Sequence, residues 1–257
     1  MSGDAVVRAT ERWLALGELT PARVALGRVG VSLPTAAVLR FGWDHAQARD
    51  AVQQRFDGDG LRRDIEQRGY ATLQVASLAP DRAAYLMRPD LGRRLDEESV
   101  CALEAEAHGP CDLLLVMGDG LSCAAVMRHA LPVLERISTR LPSDWRLGPV
   151  VIARQARVAL ADEIGERMKA PMIAILIGER PGLSSPDSLG IYLTWAPRVG
   201  RSDAERNCIS NIRPQGLAYD EAARRLLWLC GQARRLRMSG LGLKDQSGGA
   251  LLAPPAP

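Results

Sequence analysis

Glu179 and Arg180 stand in GERPGLSSPDSLG, directly behind MIAILI, as apolar a run as the chain contains. A carboxylate next to a guanidinium supplies an acceptor and a fork of donors, which is equipment for holding a polar ligand. Gly178 and Gly182 would let backbone approach that ligand closely, and Pro181 and Pro186 would stiffen the loop around it. Open α/β sheets keep their ligand crevices at the carboxyl ends of strands, where this loop falls. The same two charges also fit an ordinary solvated connection, and only the neighbouring segments weigh against that.

A second candidate is MGDGLSCAAV, with Gly118 and Gly120 at a strand end and Ser122 placed to cap the helix that follows. Free backbone N–H groups there would suit an anion. As a dinucleotide fingerprint it is defective, because G-x-G-x-x-G needs glycine at 123, where Cys123 stands, and no acid for a ribose is evident further on. A plain capped turn and a non-nicotinamide ligand both remain open. Ser122 is not flanked as a hydrolase nucleophile would be. His45, His108 and His129 lie in helical or inter-domain contexts without triad order, and ligand spacing for zinc is absent. No catalytic residue and no metal ligand is expected from this chain.

The elements that must position these segments divide in two. Residues 1–108 read as a helical N-terminal region, with helix starts at Thr20-Pro21 and Leu33-Pro34. In the second helix Val38, Phe41, Ala48, Val52 and Phe56 recur at helical spacing and predict one buried face, with DGDG at 57–60 ending it. Residues 109–257 alternate apolar runs (CDLLLVMG, PVVIARQ, MIAILIG) with helical patterns, the βαβ signature of a Rossmann-like, mainly parallel sheet. GIYLTWAPR fits a further strand. LAYDEAARRLLWLCGQARRLRM fits a closing helix with Leu226, Leu229, Ala233 and Leu236 as its apolar stripe, and the tail SGGALLAPPAP should be mobile.

Composition sets the outer bounds. The chain has 257 residues, 47% of them hydrophobic, enough for a real core, and a net charge of only +3 with its arginines dispersed, which argues against a nucleic-acid partner. Five widely spaced cysteines without a C-x-x-C pair favour a reducing compartment. The N-terminus lacks a signal peptide's order and no run approaches a membrane span, so a cytoplasmic location is expected.

A second long polar passage, WAPRVGRSDAERNCISNIRPQG, follows the first, and both are expected on one side of the sheet. Together GERPGLSSPDSLG and YLTWAPRVGRSDAERNCISNIRP resemble the small-subunit family of ethanolamine ammonia-lyase. TPARVALGRVG, FGWDHAQARDAV, YLMRPDLGRRL, GDGLS and RVALADEIG extend the likeness from Thr20 to Gly240.

The resemblance implies a subunit of an adenosylcobalamin-dependent carbon–nitrogen lyase that splits ethanolamine into acetaldehyde and ammonia. It implies a large-subunit partner whose barrel holds the substrate, met by the helical N-terminal region, and cofactor contacts at Val158, Glu179 and Cys208. Such a cofactor is broad and amide-fringed and carries a single phosphodiester, so several loops must hold it together. None of the three histidines sits in a D-x-H-x-x-G motif, because Trp43, Glu106 and Met127 stand two residues before them. Cobalt is therefore expected to keep the cofactor's own base as its lower ligand. The N-terminus is shorter than the extended form that directs some members into a bacterial microcompartment, which leaves encapsulation open. The alternative is a stand-alone cobalamin or nucleotide carrier, with a dinucleotide-dependent oxidoreductase further behind.

Overall fold

The computed structural model describes residues 15–17, 19–20, 22–105 and 109–248. His108, the cut at 108 and most of the C-terminal tail lie outside them. Seven helices of six residues or more are described: α1 (Thr35–Gln53), α2 (Gly58–Glu66), α3 (Arg82–Met87), α4 (Glu97–Ala105), α5 (Cys123–Arg140), α6 (Leu160–Arg167) and α7 (Tyr219–Leu236). The strands are β1 (Thr72–Ala76), β2 (Leu114–Gly118), β3 (Val150–Arg154), β4 (Met172–Gly178), β5 (Leu189–Trp195) and β6 (Arg206–Ile212). They form one mixed α/β sheet in the order β1-β3-β2-β4-β5-β6. The first four are parallel to their neighbours, whereas β5 runs antiparallel to β4 and β6 antiparallel to β5.

Pleating sends alternate residues to opposite faces and so divides the core. Leu113, Leu115 and Met117 of the β2 segment pack with α5 and α7 on one side. Leu114 and Val116 pack with Leu103 of α4 and with Leu160 and Ile164 of α6 on the other. All seven residues of β4 are buried, as a strand covered on both faces requires. In α7, Leu226, Leu229 and Ala233 are buried as their spacing predicts, while Leu236 at the last turn is 45% exposed.

Four sequence expectations are corrected by the geometry. The N-terminal region is not purely helical: β1 belongs to it and pairs along its length with β3, from Thr72 against Val150 to Ala76 against Arg154. Residues 22–34 form no helix. DGDG does not end a helix but starts α2, with Asp57 accepting from the Gly60 N–H at 2.9 Å. The apolar face of α1 is covered only in part among the described residues: Val38 is 51% and Phe41 47% exposed, Ala48 and Val52 are half-buried, Phe56 beyond the helix end packs on the core, and Ala51 alone in the helix is buried.

The two polar passages also separate. Residues 179–188 link β4 to β5 at the carboxyl end of the parallel strands, but β5 turns back, so 196–205 emerge at the opposite end, where Pro197 packs on Gly165 of α6. RNCISNI, read as part of a polar loop, is strand β6 and carries the chain back to the first rim.

Candidate functional site

At the carboxyl ends of β2, β3 and β4 a cavity of about 420 Å³ opens. Gly120 and Leu121 follow β2, Arg157 and Val158 follow β3, and Gly178 to Arg180 close β4; Tyr85, Tyr192 and Ser210 complete its wall. Two of the three expected contact residues, Val158 and Glu179, therefore share one lining. Cys208 lies outside it, paired across β5–β6 with Tyr192, which is part of the wall.

Glu179 is not a loose surface charge. Its carboxylate accepts the hydroxyls of Ser188 and Ser210 and the backbone N–H of Asn211. Three donors leave such a group with roughly one free lone-pair site. The side chain lies over Gly190, where a Cβ would come within 2.9 Å of Oε1. The Cys208 thiol, though its residue is exposed, is held above its ordinary pKa by desolvation, which outweighs a hydrogen bond from Tyr192, and the Glu179 charge adds to the rise. A protonated thiol is a weak nucleophile, so Cys208 contributes packing rather than reactivity. Tyr192 is likewise raised, first by burial, with its neighbour Cys208 and the Glu179 charge adding to the rise.

Gly178 and Gly120 are required by the fold itself. A Cβ on Gly178 would stand 2.0 Å from the Ser122 carbonyl oxygen, and one on Gly120 would stand 2.2 Å from that of Gly178. The end of β4 thus presses against the turn after β2, and the Leu121 N–H donates to Gly178 O at 2.9 Å. Ser122 caps α5 as expected, accepting from Ala125 N, and its hydroxyl donates to Pro186 O at 2.9 Å. The N–H groups of Leu121 and Ala125 at this helix start are consequently spent inside the chain.

Asp119, which the sequence reading passed over, occupies the crevice between β2 and β3. It is 1% exposed and accepts backbone N–H groups from Gly120 (3.0 Å), Gln155 (3.0 Å) and Ala156 (2.8 Å). Gln155 has φ 52°, so successive amides turn toward one acceptor and form an anion nest. Burial pushes Asp119 up to about 6 against the pull of these donors and of Arg82. The chain's own carboxylate fills the position where a Rossmann crevice would receive a ligand's phosphate, which counts against the nucleotide alternative. The signal was the D of GDG, a buried acid one residue past an apolar strand.

Around this crevice Arg82 ties distant segments together. It donates to Val52 O at the end of α1 (2.9 Å), to Gly120 O (2.7 Å) and to Leu121 O (3.2 Å). Tyr85 is sandwiched between Arg82 and Arg157, whose guanidinium carbons stand 4.8 Å and 4.2 Å from its ring centroid. Its hydroxyl donates to Ala156 O at 3.0 Å. His129 is buried, with Nδ1 2.8 Å from the Tyr219 hydroxyl and Nε2 3.5 Å from Asp187, and desolvation lowers its pKa. It stands beside Asp187 of the 179–188 loop and is not part of the cavity lining. Among the described residues no cluster of metal-ligating side chains occurs.

Comparison with known proteins agrees with the motifs. The family model for "Ethanolamine ammonia-lyase light chain (EutC)" matches residues 10–244. The chain is 58% identical over 243 residues to an ethanolamine ammonia-lyase small subunit of Pseudomonas paraeruginosa, covering 91% of this chain and 88% of that one. Small subunits of Pseudomonas aeruginosa and Pseudomonas putida match at 57% and 56% over 239 residues, with the same shares covered. Likeness over nine-tenths of the sequence leads to one assignment: the chain belongs to the family of ethanolamine ammonia-lyase small subunits.

Proposed function

We propose that this chain is the small subunit of a two-part ethanolamine ammonia-lyase and that the rim cavity is its share of an adenosylcobalamin site. The observation that carries the reading is the convergence of Val158 and Glu179, from separate strand ends, on one lining, with Cys208 one strand pairing away. The residues suit the cofactor. A cavity of about 420 Å³ is far too small to enclose a corrinoid, so the site takes one edge of it and leaves the rest to a partner. Val158 offers apolar wall, Glu179 an oriented acceptor for amide or hydroxyl donors, and Cys208 an exposed contact on β6. When bound, adenosylcobalamin supplies the cobalt–carbon bond whose cleavage begins the radical rearrangement of ethanolamine.

The chain's own residues bind and orient rather than react. Glu179 is pre-aimed by Ser188, Ser210 and Asn211, which reduces the ordering cost of binding. Among the described residues neither His129, buried against Tyr219, nor His45, on α1, lines the cavity, in keeping with a cofactor that would keep its own base. The Rossmann-like character resides in the parallel strands β1 to β4, whose loops form the rim.

The N-terminal arm is the surface we assign to the large subunit. Leu19, Val29, Val31, Leu33, Leu39 and Trp43 are between 51% and 101% exposed. Apolar surface of that extent marks an interaction site. It also weighs against a stand-alone carrier. Unpaired thiols fit a cytoplasmic location, and no helix among the described residues is long and apolar enough to cross a membrane. The test is to supply the large subunit with adenosylcobalamin and ethanolamine, with and without this chain, and to assay acetaldehyde. Formation is expected only with both subunits, and normal turnover without this chain overturns the proposal.

A further inference from the structure

Two cations on the cavity wall form no ion pair among the described residues. Arg157 and Arg180 both line it, and neither has a carboxylate within 4.0 Å among the described residues. Arg82, on the neighbouring wall, is by contrast engaged with Asp119 at 3.6 Å. Glu179, the acid of the lining, is committed to Ser188, Ser210 and Asn211.

Arg157 is also held still. Its backbone N–H donates to Gly92 O at 2.8 Å, its Nη2 donates to Tyr85 O at 3.0 Å, and its guanidinium lies on the Tyr85 ring. Of its three nitrogens, Nη2 is used and Nε is buried without a partner, while Nη1 has no partner among the described residues and is the donor left for a ligand. A half-buried cation fixed in place with donors to spare is poised for an anion, and the guanidinium fork suits phosphate oxygens best. The other anion niches of the rim are closed, because Asp119 fills the nest after β3 and Gly178 O and Ser122 occupy the start of α5.

We propose that Arg157 and Arg180 form the anion-accepting corner of the cavity and receive the phosphodiester of the cofactor's nucleotide tail. This rests on the cofactor reading above. Recognition then depends on the tail as well as on the corrin.

The experiment is an equilibrium titration of the two-subunit complex with adenosylcobalamin and with adenosylcobinamide, which keeps the corrin and lacks the phosphodiester. Arg157→Gln and Arg180→Gln are each expected to weaken adenosylcobalamin binding about tenfold, as loss of a charge-assisted hydrogen bond does, and to leave the adenosylcobinamide constant unchanged. Arg180 is exposed and unpaired, so its variant keeps the fold and reads the effect even where Arg157→Gln perturbs the Tyr85 stack. Variants that bind adenosylcobalamin as tightly as wild type, or that weaken both ligands equally, overturn the phosphodiester assignment and leave the cofactor reading standing. A wild-type complex that binds neither ligand overturns the cofactor reading itself.

Discussion

The Glu179 carboxylate lies over Gly190 so closely that a Cβ there would come within 2.9 Å of Oε1 and 3.1 Å of Cγ. The glycine is the floor on which the acceptor rests, and Ser188 and Ser210 hold it from the sides. Gly190→Ala is therefore expected to push Glu179 off its donors and weaken adenosylcobalamin binding by about three- to thirtyfold, with the loss of one to two hydrogen bonds. Titration of the complex measures it, and circular dichroism of the subunit should show the sheet intact.

Asp119 gives the chain a pH signature. Burial raises it to about 6, above the roughly 3.9 of an unfolded carboxyl. Between these values the folded state holds the extra proton, so the stability this group contributes falls as pH rises from about 4 to about 6. Asp119→Asn puts an amide donor against the N–H of Gln155 and is expected to cost about 1–3 kcal/mol. The deficit should be largest near pH 4 and narrow by pH 8. Urea unfolding at both values tests the sign; a deficit that widens with pH would mean the three amide donors outweigh burial.

Much of this arrangement was legible because burial writes itself into sequence. LLVMG, VVIAR and MIAILIG are strands covered on both faces, and their unbroken apolar runs announced β2, β3 and β4. Edge strands do not have that signature. TLQVA alternates half-buried with buried residues over only five positions, and RNCISNI buries just Arg206, Ile209 and Ile212, so β6 was lost in a polar passage. The face of α1 was read as core because spacing shows that a helix is amphipathic, not what covers it. Glycines misled in a similar way: Gly178 and Gly120 allow two chain segments to touch, and sequence cannot separate that from approach to a ligand.

The unburied arm makes a prediction that separates folding from assembly. Trp43 is 66% exposed and Leu39 69%. Leu39→Asp with Trp43→Asp should leave the melting of the isolated subunit nearly unchanged, within about 0.5 kcal/mol per site, as exposed positions do. Association with the large subunit should fall by tenfold or more, on the order of the loss of an interface anchor. Sedimentation of the mixed subunits measures it, and undiminished assembly would move the interface elsewhere.

The loop that carries the site is fastened at its far end by Asp187, which takes Arg128 at 2.9 Å and stands 3.5 Å from His129 Nε2. Arg128 is largely exposed, so the pair adds only about 0–1 kcal/mol to global stability. Asp187→Asn should hardly change the unfolding midpoint, yet amide exchange across 180–188 should quicken, with β4 itself unaffected. Equal protection in both proteins would show that the Ser122 hydroxyl on Pro186 O suffices to hold the loop.

The central claim is that Glu179 is a cofactor contact made by this chain within a two-subunit site. Its most direct measurement is the dissociation constant for adenosylcobalamin of the complex carrying Glu179→Ala against wild type, with melting of the isolated subunit as the fold control. A constant raised about tenfold or more with the melting transition retained is the result expected for loss of an oriented carboxylate acceptor. An unchanged constant in a folded, assembled variant would contradict it.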